Sequence, residues 1–163
     1  MGRFLANTVH TIDKKGRVSV PAAFRTVLCG QNLLFTMLSI SSTTIEAGGP
    51  QLIDAAEARL AQMDPFSEEY EIWSFYVHGD SDQLKIDGDG RISLSDAMRE
   101  HAQIDDRVAF VGRGHFFQLW EPGRFETYQK ETRIKALELR KKLGGASGAG
   151  TSNGSAVAGE RKH

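Results

Sequence analysis

A fourteen-residue segment is written twice in this chain, with corresponding positions 74 residues apart. IDKKGRVSVPAAFR at 12–25 and IDGDGRISLSDAMR at 86–99 are identical at seven positions: Ile, Asp, Gly, Arg, Ser, Ala and the final Arg. Three further pairs are conservative, Val18 with Ile92, Val20 with Leu94 and Phe24 with Met98. Self-similarity at a fixed spacing marks duplication of one supersecondary unit. The expected class is α+β, with two related halves in one chain acting as a pseudo-dimer.

Each copy reads as strand, tight turn, strand, short helix and two further strands. Asp13 and Asp87 open the turns, where a carboxylate accepts a backbone N–H two residues on; Gly16 and Gly90 supply the positive φ that closes a bulged hairpin. RVSV then alternates, so Val18 and Val20 face inward while Arg17 and Ser19 face out. Pro21 suits the first turn of a helix AAFRTVLC that stops at Gly30, and Ser95 or Asp96 opens the matching helix. LLFTML and TTIEA supply later strands, answered by RVAFVG and FFQLW.

Helices lie between and after the copies. QLIDAAEARLAQM places Ile53, Ala56, Leu60 and Met63 on one face, and Asp64-Pro65 starts a second helix with Phe66, Tyr70, Trp73 and Val77 on another. Those aromatics have acidic neighbours and helical spacing, which favours packing over base stacking. An amphipathic helix is expected from Arg124 to Leu143, with Phe125, Tyr128, Leu139 and Leu143 on its stripe. The Gly-, Ser- and Ala-rich segment after it should be disordered.

With 163 residues and 40% hydrophobic side chains, the chain can bury one compact core or two small halves sharing one. No apolar run is long enough to cross a bilayer and no signal peptide opens the chain, so a cytoplasmic protein is expected. The single Cys29 excludes an internal disulfide and a cysteine-based zinc site, and at the apolar end of TVLC it reads as a small buried hydrophobe. The net charge of -1 gives no support to a nucleic-acid partner, but its distribution does. Segment 10–30 carries a local +3, 46–72 carries -6 and 121–143 carries +3. A basic patch can attract phosphate while the acidic segment faces elsewhere.

Other chemistries fit poorly. An EF-hand loop starting at Asp87 needs an oxygen ligand where Arg91 stands and an acid where Met98 stands, so no metal site is expected. His10, His78, His101 and His115 are scattered and no HExxH, GxSxG or phosphate loop is present, so an enzyme, a cofactor and a small-molecule substrate are not expected. One Asp-x-x-Gly-Arg copy could be a hairpin and nothing more. Two copies are different, because a hairpin does not require an outward Arg directly after its Gly. Paired arginines form a two-fold device that could span successive turns of a DNA groove.

The paired signatures, with MDPF between them and VGRGHFFQLW after them, resemble the MraZ proteins, bacterial transcription regulators. The resemblance runs from residue 4 to about residue 130. It implies two AbrB-like swapped-hairpin β-barrel units over 7–51 and 81–124, a helical connector over 52–80, a C-terminal helix over 125–143 and a disordered tail over 144–163. It also implies a nucleoid-associated regulator, usually a repressor, that binds short G-rich direct repeats in its own promoter, ahead of the division and cell-wall genes. The partners implied are double-stranded promoter DNA and further copies of the chain in a closed ring. Carried over by position, Arg17 and Arg91 are the signature arginines and Lys15 a further basic contact, with Lys14 beside it. Arg can fork onto guanine O6 and N7, while Lys acts as a point charge on phosphate. The second copy departs from this pattern, holding Asp89 where the first has Lys15. The first hairpin is therefore expected to supply most of the DNA affinity, with a ring adding avidity. An AbrB-type regulator of other genes, or an antitoxin acting through a protein partner, stays open as the alternative.

Overall fold

The computed structural model describes residues 2–161, and from residue 145 onward as helix without side chains. The expected disordered tail over 144–163 lies, from residue 145 onward, outside the residues described with side chains. By internal contacts the chain forms two compact units, one ending at Pro122 and the other starting at Gly123. The second unit is a helix, α5 (Pro122–Arg161), on which Ile134, Leu137, Leu139 and Leu143 are exposed.

The first unit is α+β, as expected. Its strands are β1 (Asn7–Thr11), β2 (Arg17–Ser19), β3 (Leu33–Leu38), β4 (Ile45–Gly48), β5 (Ser81–Lys85), β6 (Arg91–Ser93), β7 (Arg107–Gly112) and β8 (Phe117–Trp120). Its helices are α1 (Ala22–Val27), α2 (Pro50–Leu60), α3 (Glu68–Ser74) and α4 (Asp96–Ala102), with a π-helical turn at Phe75–Gly79. Six strands form an antiparallel sheet in the order β1-β7-β8-β4-β3-β5, and β2 pairs with β6 as a separate ribbon.

The register follows the duplication. Asn7 pairs with Val111 and Thr11 with Arg107; adding 74 to one partner and subtracting it from the other gives Ser81 with Met37 and Lys85 with Leu33, which also pair. The opening strand of each copy is thus hydrogen-bonded to a strand of the other copy. At the sheet centre Glu46 faces Gln118, and in the ribbon Val18 faces Ile92. The loop from Ser39 to Thr44 has two residues more than the loop from Arg113 to Phe116, which changes the spacing from 74 to 72 (118 minus 46) beyond it.

Alternation in β2 and β6 fixes what the ribbon packs on. Val18, Val20, Ile92 and Leu94 are almost fully buried, in one core with Phe24, Phe110 and Phe117. Each such burial contributes about 1.5–3 kcal/mol relative to exposure. Phe24 from α1 lies 4.8 Å from Phe117 and 6.5 Å, edge-on, from Phe110, so α1 is packed against β7 and β8 of the six-stranded sheet. Ser95 caps α4 by accepting from the Met98 N–H, whereas Pro21 sits at the N-cap of α1 and not inside its first turn.

Three local expectations are corrected. Cys29 is exposed: it and Gly30 both take left-handed backbone (φ 56° and 77°), which turns the chain out of α1 before the thiol reaches the core. The second connector helix starts at Glu68, because Ser67 accepts from the Tyr70 N–H and caps it there; Asp64 and Pro65 lie in the preceding turn. Phe66 is consequently 97% exposed and does not pack with Trp73 and Val77, which join Met37, Leu52 and Tyr76 in a second small core.

Candidate nucleic-acid interface

Both signature turns are closed by the same set of bonds. In the first, the Arg17 carbonyl accepts from the Asp13 N–H at 2.9 Å and the Asp13 carbonyl from the Gly16 N–H at 3.0 Å. Asp13 Oδ1 accepts the Lys15 and Arg17 N–H groups at 2.9 Å each, leaving Oδ2 for Arg17 Nε at 2.8 Å. In the second turn Asp87 repeats this with the N–H groups of Asp89 and Arg91 at 2.9 Å and with Arg91 Nε at 3.3 Å. Gly16 and Gly90 have φ of 82° and 78°, a conformation open to glycine and strained for other residues. The Arg17 N–H beside Asp13 and the Arg91 N–H beside Asp87 are the main causes that hold both carboxyls below the usual carboxylate range.

One Asp therefore does two things with its two oxygens. It folds the turn, and it aims the guanidinium that follows. Arg17 pairs across the ribbon with Ser93 and Arg91 with Ser19, so by strand alternation all four lie on the face opposite Val18 and Ile92. The two arginines are diagonal neighbours, with Cα atoms on the order of 7–8 Å apart. That spacing corrects the expectation that they span successive turns of a groove, which are about 34 Å apart. Lys14 and Lys15 stand exposed at the tip of the first turn.

The turns differ in electrostatics. Arg17 has a carboxylate partner only in Asp13 among the described residues. Arg91 has two, because Asp89 Oδ2 also lies 3.2 Å from its Nη2. Residues 13–17 hold three cations and one acid, a local +2, while 87–91 hold one cation and two acids, a local -1.

Of the two arginines that close the repeated segment, one joins the site without having been expected in it. Arg25, on α1, donates from Nε to the Val20 carbonyl at 3.2 Å, and its guanidinium fills the space within 2.7–2.9 Å of where a Cβ on Gly90 would stand. A cation from the first copy therefore sits against the turn of the second. Its counterpart Arg99 turns to the Asp105 carbonyl and comes no nearer than 4.0 Å to the equivalent point at Gly16. Their identity across the repeat was the available signal; the crossing itself depends on the β2–β6 pairing.

The family model described as "MraZ protein, putative antitoxin-like" matches residues 78–143. The chain is similar to the transcriptional regulator MraZ of Azorhizobium caulinodans, 41% identical over 150 residues covering 91% of this chain and 96% of the relative. It is likewise 41% identical over 145 residues to the transcriptional regulator MraZ of Beijerinckia indica, with 88% of each chain covered. The protein of that name from Rhizobium leguminosarum is 42% identical over 135 residues, 82% of this chain and 93% of the relative.

Proposed function

The chain belongs to the MraZ family, and from that premise we propose that it is a DNA-binding transcription regulator that reads the major groove with its β2–β6 ribbon. The observation that carries this is the placement of Arg17 and Arg91 on one outward face of a two-stranded ribbon. A major groove about 12 Å wide admits a two-stranded ribbon, and an Arg fork there pairs with guanine O6 and N7. Lys14 and Lys15 at the turn tip supply phosphate contacts that fix register.

The finer reading follows the family. The units over 7–51 and 81–124 act as AbrB-like repeats with exchanged hairpins, joined by 52–80. The exchange of β1 and β5 between the copies supports this. The regulator represses its own promoter, ahead of division and cell-wall genes, by engaging short G-rich direct repeats in the nucleoid. Several subunits in a closed ring present the same +2 turn to consecutive repeats, which gives avidity to a chain whose net charge is -1.

The test is a titration of the full chain on DNA from upstream of its own coding sequence, with and without Arg17→Ala. Binding that weakens in the folded variant and falls with salt supports the proposal. Undiminished binding overturns it. Co-purification of a toxin whose activity the chain suppresses, without any promoter shift, would point to the antitoxin alternative.

A further inference from the structure

We propose that Asp89 is a specificity-determining residue: it holds the Arg91 fork away from phosphate and reserves it for base edges. This rests on the DNA-binding reading above. The two turns share their Asp–Arg frame and differ at the two positions between, Lys14 and Lys15 in the first, Gly88 and Asp89 in the second. Asp89 is the difference that touches the signature arginine. Its carboxylate is 78% exposed and lies 3.2 Å from Arg91 Nη2, while Asp87 occupies Nε.

A phosphate reaching for Arg91 brings a full negative charge up to that carboxylate. Guanine O6 and N7 are neutral acceptors and meet far less repulsion. The Asp89–Arg91 pair is exposed and therefore weak, so a base edge can displace it. Arg25, seated against Gly90, restores one positive charge to the turn and keeps it from repelling the duplex outright. The hairpins then divide the work. The first, at +2, adds the backbone grip of Lys14 and Lys15 to the base contact of Arg17; the second engages well only where a guanine is correctly placed.

The experiment compares the full-length protein with Asp89→Asn, Asp89→Glu, and Asp89→Asn combined with Arg91→Ala. Each is titrated at one salt concentration against the duplex from upstream of its own coding sequence and against a shuffled duplex of equal length and composition. Asn keeps the shape and removes the charge at an exposed position, and circular dichroism checks the fold. Asp89→Asn is expected to raise affinity for the shuffled duplex about three- to tenfold and for the upstream duplex less than about twofold, so the specificity ratio falls. Asp89→Glu should restore the ratio, and the gain should vanish in the double variant. Equal change on both duplexes, no change on either, or a gain that survives Arg91→Ala overturns the inference. Failure of the underlying reading shows separately, in a wild-type protein that binds the two duplexes alike.

Discussion

Val18 lies directly opposite Ile92 in the ribbon, and each is the other's counterpart in the duplicated segment. Glu46 and Gln118 stand in the same relation at the sheet centre, with the backbone N–H of Val20 bonded to the Gly90 carbonyl and that of Leu94 to the Gly16 carbonyl. The local two-fold relation of the repeat passes through both pairs. Neither arginine-bearing turn has a floor of its own, since each is fastened to the other copy.

Coupled stability follows. Ile92 is 1% exposed, so Ile92→Ala should cost about 2–5 kcal/mol in chemical denaturation. Because Val18 touches the same space, combining it with Val18→Ala should depart from additivity by roughly 0.5–3 kcal/mol. Additive losses would mean that the two turns are supported independently.

The turn glycines should respond unequally to a methyl group. Both Gly16→Ala and Gly90→Ala place a side chain at positive φ, at a cost of about 1–2 kcal/mol. A Cβ on Gly90 also meets the Arg25 guanidinium at 2.7 Å, whereas at Gly16 the nearest atom is the Leu94 carbonyl oxygen at 3.2 Å. Arg25→Ala is therefore expected to relieve part of the Gly90→Ala defect and none of the Gly16→Ala defect. Thermal melts of the single and double variants decide this.

The turns were legible from residue types because their geometry is local: Asp13 and Gly16 close a five-residue loop using only neighbours. The outward phase of Arg17 was legible for the same reason, from alternation with Val18 and Val20. What could not be read was the partner. Alternation states which side of β2 is buried but not that β6, 74 residues away, lies beside it, so the diagonal closeness of Arg17 and Arg91 and the seating of Arg25 on Gly90 were missed. Cys29 and Phe66 failed differently. Each follows an apolar or helical pattern, but left-handed backbone at Cys29 ends the first helix there, and the Ser67 cap starts the other only after Phe66.

Strong acid should loosen the turns. The Arg17 and Arg91 N–H groups hold Asp13 and Asp87 below the ordinary carboxylate value of about 3.9. Their contribution is present above that value and is lost as pH falls through the depressed folded values. Asp13→Asn should lower stability at pH 7 and flatten the acid limb below about pH 4. Glu46 behaves oppositely: burial raises its carboxyl, against the nearby charges of Arg113 and His115. Its favourable contribution is full below about 4.3 and fades as pH rises through the raised value, so Glu46→Gln, which mirrors Gln118, should stabilise at pH 7 and not at pH 4. Denaturant melts at the two pH values check both signs.

The contrast between DKKGR and DGDGR should appear in the salt dependence of binding. Arg17 has one carboxylate to release before it meets DNA and stands beside two exposed lysines; Arg91 has two carboxylates and no neighbouring lysine within its turn. Arg17→Ala is therefore expected to weaken promoter binding by about 1–3 kcal/mol per engaged site, and Arg91→Ala by less. Lys15→Gln should leave sequence preference intact but reduce the slope of log K against log salt by about 0.9 for each phosphate it no longer neutralises. A salt titration of the three variants on one promoter fragment measures both effects. Equal losses from the two arginines, with an unchanged slope for Lys15→Gln, would mean that the tip of the first turn points away from the DNA and that the charge difference between the turns plays no part in affinity.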